Sequence, residues 1–143
     1  SYSGPSALVL FNRFYAPDIN IDKLEFKAAR HLSDENELYN TLRWIGLLSG
    51  NLRCDIAATT GVHNGAGLIK LLLAGADVVQ AASIFYKKGI PYAKEMMAEL
   101  NSWMDKKEFK TINDFKGRLS YHNIDNPTIY FRTQFMKYMA GIE

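Results

Sequence analysis

The sequence predicts an α/β fold with parallel strands, and three observations predict it. Residues 53–59 form a short run, apolar towards its end, closed by the polar, glycine-bearing turn Thr60-Gly61-Val62-His63-Asn64-Gly65. Leu68, Ile69, Leu71, Leu72 and Leu73 then recur at helical spacing until Gly75. Residues 77–82 are a second apolar run. Strand, turn, helix and strand inside one βαβ length imply parallel strands joined by a right-handed crossover.

The chemistry of such a unit falls at its strand ends. Thr59-Thr60-Gly61-Val62 leaves one strand and Ala81-Ala82-Ser83 leaves the next. In parallel α/β folds these ends open onto one face, where free backbone N–H groups and helix N-termini suit a phosphate. A β/α barrel uses the loops after its last two strands in this way. Gly61 has no Cβ to keep the backbone from an anion, and Thr60 and Ser83 add hydroxyl donors. Taken singly, Gly61 reads as a turn glycine and Ser83 as a helix N-cap. Two matched turns about twenty residues apart favour the anion site.

The elements follow in order. Ala7-Leu8-Val9-Leu10-Phe11 is an uninterrupted apolar run, the pattern of a strand buried on both faces. Asn12 lies at its C-terminal end, where a barrel strand meets its ligand, and its amide both donates and accepts. An Asx-turn explains Asn12 equally well, and on the residues alone the two readings stand level. Residues 19–31 carry Ile19, Ile21, Leu24 and Phe26 at irregular spacing and predict a short strand or hairpin. Ser33 is placed as an N-cap, with Asp34, Glu35 and Glu37 in the first turn. Leu38, Leu42, Ile45 and Leu48 give the helix that follows, ended by Gly50. Trp44 on that helix reads as packing. Ile84–Lys88 adds a turn or two of helix, and Pro91 opens another with Met96, Met97, Leu100, Trp103 and Met104 as its apolar stripe. Thr111–Phe115 is a capped short helix stopped by Gly117, and residues 120–127 are a loop. Thr128–Ala140 is a last helix whose aromatic residues dock on the body or on a partner.

Composition narrows the function. The chain has 143 residues, 48% of them hydrophobic and 22% charged, which is ordinary for a soluble globular domain. A net charge of +2, with acids interleaved among the lysines of residues 106–118, argues against a nucleic-acid surface. No run has the length of a membrane span, and there is no signal pattern. One cysteine, Cys54, excludes an internal disulfide, is placed in a buried strand and fits a reducing compartment, so the cytoplasm is expected. Neither CxxC nor HExxH occurs, no metal site is argued, and no Ser-His-Asp set can be placed. His63 lies beside the anion loop, where it could contact the ligand, but a solvent-exposed turn residue is the expectation. A β/α barrel needs about 250 residues. A chain that opens almost at once on a strand, without a starting methionine, is expected to be the C-terminal part of something longer.

Four stretches carry a resemblance. They are Asn12-Arg13-Phe14-Tyr15 with Pro17-Asp18-Ile19, then Leu42-Arg43-Trp44-Ile45, then Ala58 to His63, then Leu71 to Gln80. Together they resemble the bacterial dihydroorotate dehydrogenase-like proteins, FMN-dependent oxidoreductases built on a β/α barrel. The similarity runs from about Ala7 to the end, including the tail around Asn126-Pro127.

The resemblance implies the C-terminal half of a (β/α)8 TIM barrel with extra C-terminal helices. Residues 1–143 would be a single partial domain, with 105–143 as peripheral helices. It implies FMN, its phosphate held by the backbone around Thr59, Thr60, Gly61, Val62, Ala82 and Ser83. Asn12 would hold the substrate, dihydroorotate or a related small molecule. The family's Gly-Gly is Thr60-Gly61 here, its Gly-Thr is Ala82-Ser83, and its Asn-Ser is Asn12-Arg13. Backbone donation survives the first two changes, while the third bears on the substrate. The family's base lies earlier in the barrel and Cys54 does not match it, so no catalytic residue is assigned in this chain. The implied activity is dehydrogenation of a CH–CH bond in pyrimidine biosynthesis by a cytoplasmic homodimer, with neither nucleic acid nor membrane as partner, and this fragment alone is expected to be inactive. Two other functions fit the residues: a flavin-free barrel enzyme taking a phosphorylated substrate, or an inert half-barrel that self-associates.

Overall fold

The computed structural model describes residues 4–13 and 16–131. Five strands and four α-helices follow one another as β1 (Ala7–Leu10), β2 (Pro17–Asn20), β3 (Glu25–Ala28), α1 (Leu38–Leu48), β4 (Asp55–Ala58), α2 (Gly65–Ala74), β5 (Val78–Val79), α3 (Ser83–Lys88) and α4 (Tyr92–Lys106). Short 3₁₀ turns at Glu35–Glu37, Ile112–Asp114 and Pro127–Tyr130 complete the described residues. The fold is mixed α/β.

β1, β4 and β5 form one parallel sheet in the order β1-β4-β5. Val9 pairs with Ala57 and Ala57 with Val78, while Leu10, Ala58 and Val79 share the next register. α1 lies on the connection between β1 and β4, and α2 on that between β4 and β5. All three strands therefore end on the same side, as expected from the βαβ pattern.

The helices cover one face of this sheet. Ile56 and Ala58 turn into a core with Leu38, Ile45, Leu71, Ala74 and Met96. A second cluster joins Ile69, Leu72, Leu100 and Phe115, with Trp103 set edge-on to the Phe115 ring. The other face is open. Val9 is 54% exposed, so β1 is not buried on both faces as its apolar run predicts. It is a sheet edge, and Val9 shares with Val78 the side opposite the helices.

The predicted hairpin is present. β2 and β3 pair antiparallel, Ile19 facing Phe26, and Ile19, Ile21, Leu24 and Phe26 are all exposed. The predicted cap shifts by one residue. Asp34, not Ser33, caps the 3₁₀ turn: its carboxylate accepts the Asn36 N–H, and Glu37 reaches back to the Asp34 N–H. Ser33 is buried and has other partners. α2 begins at Asn64, whose side chain accepts the Gly67 N–H, and ends at Gly75 in the left-handed region.

Cys54 is half-buried and sits just before β4, not within a buried strand. The capped turn after Thr111 forms as predicted, with Asp114 closing the box. Of the last predicted helix, the described part is the 3₁₀ turn to Tyr130, followed by extended Phe131. Phe135, Met136 and Tyr138 fall outside the described residues, as do Phe14 and Tyr15. Tyr130 docks on α1, where Arg43 Nε donates to its carbonyl at 2.7 Å and its ring lies against Gly46.

Candidate functional site

A cavity of about 440 Å³ opens at the C-terminal ends of the three strands. Its lining includes Asn12, Thr59, Thr60, Gly61, Val62, Ala82 and Ser83. The two loops that the sequence singles out thus face one space together with Asn12. Phe11, Arg13, His31, Ser33, Gln80 and Tyr86 also line it.

What each loop offers differs in part from the sequence expectation. The Thr59 N–H extends the sheet, donating to Leu10 O at 2.8 Å, and Thr41 Oγ1 donates to the Thr59 carbonyl at 3.0 Å. The Thr59 backbone is therefore already engaged. Thr60 Oγ1 donates to Phe11 O at 2.9 Å, so its hydroxyl proton is not free for an anion. Thr60 and Gly61 both lie at positive φ, +77° and +80°. After them, the N–H groups of Thr60, Gly61 and Val62 have no hydrogen-bond partner among the described residues. Gly61 and Val62 are buried, and buried N–H groups without partners are rare enough to call for an acceptor.

The helix behind this loop is not an open positive end. Glu99 Oε2 accepts the Gly65 N–H at 2.9 Å and Asn64 Oδ1 the Gly67 N–H at 2.8 Å. A carboxylate already answers the α2 dipole, and the residues that line the cavity are those of the loop before it.

On the second loop, Ala82 caps α3 and Ser83 begins it. Ser83 Oγ accepts the Ser33 N–H at 2.9 Å, which leaves the Ser83 hydroxyl proton to be donated elsewhere. Asn12 is exposed at the cavity and makes no hydrogen bond among the described residues. Arg13 beside it is fixed. Its Nε meets Glu37 Oε2 at 2.8 Å, and it also donates to Arg30 O. Their hydrogen bond raises the Arg13 pKa and holds the Glu37 carboxyl below its ordinary value.

His63 departs furthest from expectation. It is not a solvent-exposed turn residue but 5% exposed, with Nε2 3.1 Å from Ser33 Oγ. Burial, and then the nearby Lys87 ammonium, push its pKa down, against the pull of Glu35 and Asp34. It is therefore neutral at pH 7. Arg13 lines the cavity beside Asn12, as its place at the strand end implies, whereas Ser33, expected only as a cap, and Gln80 are not foreseen there. Ser33 meets His63 across thirty positions and Arg13 meets Glu37 across twenty-four, separations that leave no local pattern. Trp44 meets Phe11 edge-on with ring centres 6.3 Å apart but stays 39% exposed, so it is not the core residue its place on the helix suggests. Among the described residues no group of three His, Cys, Asp or Glu is placed to hold a metal, and no helix is long and apolar enough to cross a membrane.

No protein-family model matches the chain. Dihydroorotate dehydrogenase (fumarate) of Lachancea kluyveri is 34% identical over 70 residues, which are 49% of this chain and 22% of that enzyme. A putative dihydroorotate dehydrogenase A (fumarate) of Streptococcus equi is 32% identical over 71 residues, 50% of this chain and 23% of that protein. Dihydroorotate dehydrogenase A (fumarate) of Lactococcus lactis is 34% identical over 64 residues, 45% of this chain and 21% of that enzyme. The match thus spans less than a quarter of the length of these relatives. Among solved structures, dihydroorotate dehydrogenase of Eimeria tenella in complex with ferulenol has a TM-score of 0.62 at 16% identity, over 78% of this chain and 30% of that one. Its ligand-free form has a TM-score of 0.55 at 20% identity, over 59% of this chain and 24% of that one. The chain resembles dihydroorotate dehydrogenases over about half its length and shares the fold of part of them.

Proposed function

We propose that this chain supplies the FMN phosphate-binding part of an oxidoreductase of the dihydroorotate dehydrogenase type. One observation carries the reading. Thr60, Gly61 and Val62, whose N–H groups have no partner among the described residues, line one cavity at the strand ends together with Ser83. Donors of this kind, with no acidic side chain among the cavity residues, suit a dianionic phosphate. The three parallel strands and their helices fit the last three strands of a (β/α)8 barrel, whose phosphate site lies there.

When bound, the flavin would supply hydride acceptance from a substrate C–H bond. The residues of this chain bind and orient. Thr60, Gly61 and Val62 present main-chain donors, Ser83 a hydroxyl and Ala82 the close approach of its loop. Asn12, free at the cavity, offers an amide able to read a carboxylate or a ring imide of dihydroorotate or a related molecule. Arg13, tied to Glu37, steadies the segment that carries Asn12. No residue here is assigned as the base. The exposed apolar side chains of the β2–β3 hairpin fit a homodimer. The reading implies a cytoplasmic enzyme of pyrimidine biosynthesis.

A second reading has its own support. The donors address a phosphate and say nothing of an isoalloxazine ring, so a flavin-free barrel enzyme taking a phosphorylated substrate uses the same cradle. Thermal unfolding with FMN, riboflavin and ribose 5-phosphate separates the two, since the tightest ligand raises the midpoint most. The flavin reading expects FMN to exceed both others. Equal shifts with FMN and ribose 5-phosphate favour the second reading. No shift with any phosphate-bearing ligand overturns both.

A further inference from the structure

We infer that Ser33 is a positioning residue that clasps the two phosphate loops to one another. The inference rests on the phosphate-cradle reading above and goes beyond it to the part that sets the cradle's width.

Ser33 commits all its polar atoms to the cradle. Its N–H donates to Ser83 Oγ at 2.9 Å, on the loop after β5. Its Oγ lies 3.1 Å from His63 Nε2, on the loop after β4. Its carbonyl accepts from Lys87 Nζ at 3.2 Å, on α3. These partners lie 50, 30 and 54 positions away in sequence. Ser33 and His63 are each only 5% exposed.

The local structure does not need this serine. Asp34 and Glu37 cap the 3₁₀ turn between themselves, so the Ser33 hydroxyl is free to act elsewhere. What it does is fix a distance. The loop after β4 carries the unpartnered amides of Thr60 to Val62, and the loop after β5 carries the Ser83 hydroxyl. β4 and β5 pair through two residues of each strand, with the Gln80 N–H donating to Ala58 O just beyond, and past that point the two loops are no longer joined by the sheet. A residue hydrogen-bonded to both loops holds their donors at one spacing, and a preorganised cradle binds a phosphate without first ordering itself. The bond to Ser83 also sets that hydroxyl's role. With its oxygen accepting from Ser33, it is turned to donate its proton to another acceptor.

The test compares FMN with riboflavin, which differs from it by the phosphate alone, and with ribose 5-phosphate, which lacks the flavin ring. Dissociation constants for FMN, riboflavin and ribose 5-phosphate are measured on the purified protein and on Ser33→Ala, Ser33→Thr and His63→Phe, with circular dichroism as the folding control. Ser33→Ala is expected to weaken FMN about tenfold, the usual scale for one lost buried hydrogen bond. Riboflavin is expected to stay within about twofold, and Ser33→Thr, which keeps the hydroxyl, to restore FMN. If Ser33→Ala fails to fold, His63→Phe carries the test, because it keeps a buried ring, removes the partner of Ser33 Oγ without touching a proposed phosphate donor, and is expected to show the same phosphate-selective loss. Equal weakening of FMN and riboflavin, or no weakening of either, overturns the clasp while leaving the flavin reading intact. Ribose 5-phosphate bound as tightly as FMN, and weakened alike by Ser33→Ala, overturns the flavin reading and upholds the clasp. A parent protein that binds no phosphate-bearing probe overturns both.

Discussion

The start of α1 fills the space where a side chain on Gly61 would begin. A Cβ built there would stand 2.6 Å from Leu38 Cα and 2.8 Å from the Glu37 carbonyl carbon. Gly61 also lies at φ +80°, so position 61 excludes a side chain on both counts. The glycine is demanded by the neighbouring helix before any ligand is considered. The missing Cβ, which from sequence alone would serve the approach of a phosphate, is required by Leu38.

Gly61→Ala should therefore lower stability with or without ligand. The left-handed backbone and the overpacking together cost at least about 2 kcal/mol. The urea midpoint of the ligand-free protein measures it. A midpoint equal to the parent's would show that the α1 start yields freely. Loss of a flavin in this variant would report folding first, which is why Ser33 and His63 are the better probes of the cradle.

Asp77 joins three pieces of the chain at the opposite end of the sheet. Its Oδ2 accepts the Ile56 N–H at 2.8 Å and its Oδ1 meets Lys116 Nζ at 2.7 Å. Desolvation alone would raise its pKa, but the Lys116 ammonium and the Ile56 N–H outweigh it and hold the carboxyl below its ordinary value. A depressed folded-state pKa stabilises above the unfolded value of about 3.9, and that stability is lost as pH falls through the folded value. Asp77→Asn should cost about 1–2 kcal/mol at pH 7 and flatten the acid limb below about pH 4. Urea unfolding at pH 7 and at a series of points below pH 4 measures both.

Much of the architecture was legible in local pattern. The βαβ unit from β4 to β5 follows from helical spacing between two short apolar runs, and Gly75 ends α2 where the pattern stops. The two strand-end loops were legible because turn chemistry follows each run. Burial on the open sheet face was not. An apolar run says that Val9 can be buried, and only its position at a sheet edge decides that it is half-exposed. The cap at Asp34 differs from the predicted Ser33 because both residue types cap well, and Ser33 has distant partners that no local rule reveals. The same distance hid His63: its burial comes from the segment around Ser33 folding over it.

Gly46 marks where the chain's later residues settle on α1. A Cβ there would collide with the Tyr130 ring, and Tyr121 N donates to the Gly46 carbonyl at 2.9 Å. Tyr130 further donates its hydroxyl to Leu119 O, and burial pushes its pKa up. Gly46→Ala should displace residues 127–131 while leaving the cradle, whose cavity neither Gly46 nor that segment lines, unaltered. Limited proteolysis reads the first effect as faster cleavage in that segment. Ligand affinity reads the second and should match the parent; a weakened phosphate site would show that tail and cradle are coupled.

His63 gives the chain a stability component that disappears in mild acid. The ring is buried, and Lys87 on α3 opposes its protonation while Glu35 and Asp34 before α1 favour it, with a net pKa below the ordinary value. Between that lowered value and the unfolded value of about 6.5, the unfolded chain binds more protons than the folded one. Stability from this residue is therefore full above about pH 6.5 and lost as pH falls towards the folded value. His63→Gln keeps a side-chain amide near Ser33 Oγ but cannot titrate. Its unfolding free energy should change less than the parent's between about pH 7 and pH 5, and Ser33→Ala, which leaves the ring able to charge, should retain the slope. Urea midpoints of the three proteins across that range test it. A parallel decline in the parent and in His63→Gln would mean that other groups carry the acid sensitivity and that the buried ring is protonated without penalty.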